Sequence, residues 1–168
     1  MTRGYAGPAF EAKICAAGDL ATRAAALPRP LVFTNGVFDL LHRGHVTYLA
    51  QAAALGKSLV VAVNSDASVR RLGKGDDRPI NTEADRMAVL AALECVTLVT
   101  CFADDTPLAA ILAARPEVLV KGGDWPVDAI VGAEEVRNRG GQVHSIPFEF
   151  ERSTTATLAK VRGDKSKR

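Results

Sequence analysis

Between an apolar run, Leu31-Val32-Phe33, and an amphipathic repeat at Val46, Leu49, Ala50, Ala53 and Ala54 lies the stretch Thr34-Asn35-Gly36-Val37-Phe38-Asp39-Leu40-Leu41-His42-Arg43-Gly44-His45. The run has the length of a buried strand, and the repeat has the spacing of a helix. A strand that turns through glycines into a helix start directs free N–H groups and the positive end of the helix dipole at one point. That is an anion site. His42 and His45 are three residues apart, so the first turn can present both to the same anion. A histidine pair also suits zinc, which needs a third ligand. His144 is the only other histidine, and Cys15, Cys95 and Cys101 show no ligand spacing, so no protein-bound metal is expected.

The apolar runs and helical repeats that follow alternate along the chain. Leu59-Val60-Val61-Ala62-Val63 is apolar throughout, as a strand covered on both faces is. Asn64-Ser65-Asp66 offers caps for a short helix. Thr82 and Asp85 form a capping box for a helix whose stripe is Ala84, Met87, Ala88 and Ala91. Further strands are expected at Val96–Val99, Val118–Val120 and Val143–Ile146, with helices from Thr106-Pro107, from Ala133 to Arg139, and after Ser153-Thr154-Thr155. Ahead of the first strand, alanine-rich spacing predicts one helix from about Phe10 to Leu27. It either packs on the sheet or supports a homodimer. The order predicts an α/β fold, a Rossmann-like doubly wound five-stranded parallel sheet with helices on both faces. Residues 1–30 form an N-terminal segment and helix, 31–162 the main domain, and 163–168 a basic tail. Ligands of such sheets bind beyond the carboxyl ends of the strands.

A length of 168 residues fits one such domain, and 48% hydrophobic with 24% charged residues is the balance of a soluble globular protein. A net charge of +2 and 5% aromatic residues give no case for nucleic acid. Three cysteines without a C-x-x-C suit a reducing cytosol, and no apolar stretch reaches the length of a membrane span. A cytoplasmic protein is expected.

Several nucleotide chemistries lose support. The sequence has no G-x-x-x-x-G-K-[ST], no G-x-G-x-x-G and no G-x-S-x-G. What remains are the histidine turn and groups able to gather round a triphosphate. Lys74 and Arg78 lie in a glycine-bearing loop that can close over an anion. Ser153, Thr154 and Thr155 open a second helix. Gly122 and Gly123 let backbone approach a nucleotide closely, and Trp125 is either a stacking surface or a half-buried structural residue.

G-V-F-D-L-L-H-R-G-H matches the G-x-F-D-x-x-H-x-G-H signature of the nucleotidylyltransferase superfamily, a long and mostly fixed pattern. Together with V-A-V-N-S-D-A-S-V, R-P-I-N, R-M-A-V-L-A-A-L, V-K-G-G-D-W and S-T-T, it extends the resemblance over nearly all of Leu31 to Arg162. The whole set resembles the adenylyltransferase domain of the bacterial bifunctional heptose enzymes. That resemblance implies transfer of the adenylyl group of ATP to D-glycero-D-manno-heptose 1-phosphate, releasing pyrophosphate and ADP-heptose for lipopolysaccharide. Glycerol-3-phosphate cytidylyltransferases share three of the elements and remain an alternative, as does a non-catalytic nucleotide-binding module on the same fold. One departure is Phe150-Glu151-Arg152, where the relatives have a small, glycine-containing approach to S-T-T.

By the same resemblance, Asn35, Gly36 and Phe38 shape the turn, and His42 and His45 bind triphosphate oxygens. Lys74 bridges the substrate phosphate and the α-phosphate, with Arg78 and Arg86 as further phosphate contacts. Gly122, Gly123, Asp124 and Trp125 line the nucleotide pocket, and Ser153, Thr154 and Thr155 reach the β- and γ-phosphates. ATP and the heptose phosphate are the small-molecule substrates, Mg²⁺ is expected on the triphosphate, and a homodimer is expected.

Overall fold

A computed structural model describes residues 7–73, 75, 77–150, 157, 160 and 161. Its strands are β1 (Leu31–Gly36), β2 (Ser58–Asn64), β3 (Leu98–Phe102), β4 (Val118–Gly122) and β5 (Gln142–Ile146). They form one sheet in the order β3-β2-β1-β4-β5, every pair parallel. The chain runs outward from β1 to β3, then starts again from β1's other side with β4. The order therefore reverses between β1 and β4, and a crevice opens there at the carboxyl ends of both strands.

Strand alternation divides the core in two. Leu31 and Phe33 of β1, Val60 and Ala62 of β2 and Leu119 of β4 face one layer, completed by α1 (Leu20–Ala25), α5 (Leu108–Ala114) and α6 (Ala133–Asn138). Val32 of β1, Leu59, Val61 and Val63 of β2, and Val118 and Val120 of β4 face the other, completed by α2 (Arg43–Ala53) and α4 (Glu83–Ala91). A parallel sheet with helices on both faces can use unbroken apolar strands, and β2 is buried at all seven positions. Each fully buried Val, Leu, Ile or Phe contributes about 1.5–3 kcal/mol of transfer free energy. α3 (Asp66–Arg71) caps through the Ser65 side chain, and α4 through Thr82, whose Oγ1 accepts from Asp85 N at 3.2 Å.

Three local expectations are corrected. The helix expected from Phe10 to Leu27 is broken: Ala9–Lys13 and Ala17–Asp19 are 3₁₀ turns, and α-helix covers only Leu20–Ala25. Ile14 bridges Val99 of β3 and Cys15 N donates to Val99 O at 2.8 Å, so the edge strand takes the segment as extended chain. In α4 the buried stripe is Arg86, Leu90 and Ala91, with Ala84 exposed. In α2 the buried face is Gly44, Tyr48, Leu49 and Ala52, which leaves Val46, Ala50 and Ala54 in solvent. Tyr48 fixes that rotation. Its hydroxyl pairs with Thr34 Oγ1 at 2.5 Å and donates to Val120 O at 3.3 Å, across the β1–β4 crevice. Ser153, Thr154 and Thr155 lie outside the described residues, and beyond them Thr157, Lys160 and Val161 are helical, as expected.

Candidate active site

β1 delivers the chain to the crevice, and the turn after it is shaped by close packing. Phe38 has φ +48, unusual for a residue with a side chain, and its ring lies where a Cβ on Gly36 would meet it at 2.9 Å. α2 then begins with His42 as N-cap in extended conformation, its side chain making no cap hydrogen bond. The first-turn N–H groups thus keep their capacity for an external acceptor. Gly44 is buried there because a Cβ would meet Phe150 O at 3.0 Å and His42 Cε1 at 3.1 Å.

The two imidazoles expected to face one anion lie together. Their ring centroids are 3.8 Å apart with planes 21° from parallel. Phe38 meets His45 edge-on at 5.3 Å and Phe148 does so at 6.0 Å. Burial in this aromatic setting, and then the neighbouring His42, push the His45 pKa down to about 4, against a smaller upward pull from the Leu40 backbone. His45 is therefore neutral at neutral pH and can donate one N–H to an oxyanion.

This depression has a signed consequence. Between pH 6.5 and 4 the unfolded chain protonates this histidine while the folded chain resists, so the unfolded state binds more protons. The stability contribution is complete above pH 6.5 and is lost as pH falls towards about 4. Melting temperature measured from pH 7.5 to 4.5 should fall more steeply for the wild type than for His45→Gln. Parallel curves would show that burial does not depress this group.

Asp39, in the middle of the turn, is consumed inside the protein. Its carboxylate accepts from Ile80 N at 2.9 Å and Asn81 N at 2.9 Å, and its backbone carbonyl accepts from Asn81 Nδ2 at 2.7 Å. Arg78 Nε lies 2.6 Å from the same carboxylate, with both side chains almost fully buried. The contact is ionic rather than a well-aligned hydrogen bond. Arg78 is therefore not the free loop cation that the sequence suggests, since its charge is matched by Asp39.

Arg86 departs further from expectation. Its side chain is completely buried and donates to Asn81 O at 3.1 Å, Val37 O at 2.7 Å, Asn64 O at 2.7 Å and Asp66 Oδ1 at 2.8 Å. It ties the turn after β1 to the carboxyl end of β2 and to the 77–82 loop. A guanidinium so occupied has no face to offer a phosphate.

β4 brings the glycine-rich stretch to the same rim. Gly122 packs under Phe148 and Tyr48, where a Cβ would lie 2.8 Å and 3.1 Å from their rings. Gly123 has φ +109 and donates from its N to Ile146 O at 2.8 Å. Ser145 Oγ donates to Gly123 O at 2.6 Å and accepts from Trp125 N at 3.0 Å, which fixes the turn. Asp124 is exposed, and Trp125 is half-exposed.

Two clefts open nearby. One, of about 180 Å³, is lined by Asn35, Pro107, Lys121, Trp125, Ala129, Ile130 and Val131. The other, of about 280 Å³, is lined by Arg70, Gly73, Gly75 and Arg78.

Gly36, Phe38, His42, His45 and Gly122 therefore meet on the α2 side of the crevice, while Asn35 and Trp125 line a cleft with Lys121. Lys74, Ser153, Thr154 and Thr155 lie outside the described residues. Asp39 and Phe148 form part of the site and carry no role in the sequence reading. Asp39's partners are some 40 residues away and have no local signature, whereas Phe148 lies just beyond β5 and its place on the rim follows from strand order.

Comparison with known proteins adds four likenesses. Residues 33–161 match the family model described as cytidylyltransferase-like. A D-β-D-heptose 1-phosphate adenylyltransferase of Bordetella bronchiseptica is 60% identical over 155 residues, covering 91% of this chain and 96% of that protein. The bifunctional protein HldE of Azotobacter vinelandii is 56% identical over 132 residues, and there the aligned part is 28% of the relative's length. Among solved structures, a lipopolysaccharide core biosynthesis protein from Thermoplasma volcanium superposes with a TM-score of 0.58 at 28% identity. It covers 73% of this chain and 98% of that one.

Proposed function

The chain belongs to the cytidylyltransferase-like family, and from that premise we propose that it transfers the adenylyl group of ATP to the β form of D-glycero-D-manno-heptose 1-phosphate, for lipopolysaccharide core synthesis. The observation that carries the transfer chemistry is the stacked His42–His45 pair beside the uncapped start of α2. The likeness to the Bordetella enzyme, over nearly the full length of both proteins, supports the choice of sugar.

A phosphate oxygen of the sugar phosphate attacks the α-phosphorus of ATP. The bond from that phosphorus to the bridging oxygen breaks, and pyrophosphate leaves with the electron pair. The attacking group is already an anion near neutral pH, so no strong base is needed. The protein must align two anions and stabilise charge on the leaving group. His42 and His45 donate to the triphosphate, with the α2 N-terminus behind them. Lys74, Ser153, Thr154 and Thr155 are assigned to the substrate phosphates on sequence grounds. Mg²⁺ would accompany ATP and offset charge on the triphosphate. Asp39 is spent on Arg78 and the 80–81 backbone, and among the described residues no three His, Cys, Asp or Glu are grouped for an ion.

Base choice is the decisive assay. Pyrophosphate release with the heptose phosphate should favour ATP over CTP by at least about tenfold in kcat/KM, which is only about 1.4 kcal/mol. Equal or better use of CTP would defeat the adenylyl assignment and leave nucleotidyl transfer standing.

Among the described residues no helix is long and apolar enough to cross a membrane, and we place the enzyme in the cytoplasm, where ATP is available. We also assign a homodimer. Val46, Ala50 and Ala54 repeat every four residues on the exposed side of α2, an apolar stripe that a second copy would cover. Light scattering at micromolar concentration should give twice the chain mass of 17.8 kDa, and Val46→Glu should halve it. A monomer at all concentrations would refute the assignment.

A further inference from the structure

Beyond β5 the chain continues as Pro147-Phe148-Glu149-Phe150, which is neither helix nor strand. A segment without a backbone ladder takes its course from its side chains. The three side chains after Pro147 all reach α2. Phe150 lies under Arg43, whose guanidinium carbon is 3.8 Å from the ring centroid. Glu149 accepts from Gln51 Nε2. Phe148 meets His45 and Tyr48 edge-on, with ring centroids 6.0 Å and 5.6 Å away. The backbone comes equally close, because a Cβ on Gly44 would lie 3.0 Å from Phe150 O. The segment is thus a strap across α2, with its far end seated on the His42–His45 turn.

The His45 ring packs against Phe38, His42 and Phe148. Phe38 sits in the turn that Arg86 and Asp39 hold in place, and His42 belongs to the same helix start. The place of Phe148 depends instead on the strap. We propose that Phe150 is a positioning residue for adenylyl transfer: clasped by Arg43, it seats the strap so that Phe148 packs on the His45 ring. The proposal rests on the adenylyl-transfer reading above. A cation is drawn to the electron-rich face of an aromatic ring, so the clasp needs a ring at 150 and a cation at 43. Its effect passes through the orientation of His45, since a donor out of place loses much of its value to developing charge.

Phe150→Leu keeps an apolar side chain and removes the ring. It should lower kcat about threefold to tenfold and move the KM for ATP and for the sugar phosphate by less than about twofold, with Phe150→Tyr close to wild type. Arg43→Gln should match Phe150→Leu, and the double variant should be no slower than either single one, because each removes the same contact. A wild-type kcat in Phe150→Leu, an equal loss in Phe150→Tyr, or effects that multiply in the double variant overturn the proposal. So does a KM for ATP that rises in Arg43→Gln but not in Phe150→Leu, which would make Arg43 a phosphate contact. The imidazole resonances of His45 in the unliganded protein, assigned with His45→Gln, give a second readout that needs no turnover. They should shift in Phe150→Leu as they do in Phe148→Leu, and stay in place in Phe150→Tyr. Resonances that move in Phe148→Leu and not in Phe150→Leu overturn the clasp, whether or not the wild type releases pyrophosphate. A wild type that releases none, with the expected resonance pattern, counts against the adenylyl-transfer reading and leaves the seating of Phe148 by Phe150 standing.

Discussion

Replacing His45 with alanine is expected to lower kcat by about two to four orders of magnitude, while the KM for ATP changes far less. The asymmetry follows from when the donor matters. Ground-state ATP shares its charge over the whole triphosphate and water can replace one neutral N–H. As the bond to the leaving group breaks, negative charge concentrates on the pyrophosphate side, and a fixed donor in an aromatic, partly buried setting becomes worth much more. Phe38, His42 and Phe148 all pack against the His45 ring. Steady-state kinetics on the variant, with circular dichroism to confirm folding, provide the check. A kcat close to wild type would mean that the imidazole is a packing residue.

The second large effect concerns stability. Arg86→Met should destabilise the protein by about 3–5 kcal/mol, the cost of removing one partner from a buried ion pair. The variant leaves the carbonyls of Val37, Asn64 and Asn81 without this donor and strips the charge partner from Asp66. Urea unfolding should show a lower midpoint at constant slope. Adding Asp66→Asn should cost less than the sum of the two single changes, because the second removes a charge that the first had already orphaned. Little loss of stability combined with a collapse of kcat/KM would instead return Arg86 to phosphate contact.

These two residues mark what the sequence makes legible and what it hides. The succession of strands and helices, the turn after β1 and the histidine pair follow from local patterns: an apolar run, glycines, then helical spacing. The role of Arg86 does not. An arginine that binds phosphate and one that ties three loops together are the same letter, and the acceptors that decide between them lie up to 49 residues away. The faces of α2 and α4 are only partly legible for a related reason. Alanine is nearly neutral in a periodicity argument, so one tyrosine bonded across two strands, or one buried arginine, decides which side turns inward. The N-terminal helix failed because its residues had a rival partner, the open edge of β3.

The alternation of β1 also bears on how such an enzyme can change through evolution. Thr34 and Val120, on the α2 side, and Asn35 and Lys121, which line the 180 Å³ cleft, leave the same short strands on opposite sides. A lineage can therefore substitute along the α5 side and the 127–131 turn without disturbing the turn that leads into the histidine pair. Insertions are treated less kindly. A single residue added within β1 would exchange the two sides at once, so diversification of this scaffold should proceed by replacement at fixed register and by changes in loops beyond the strand ends.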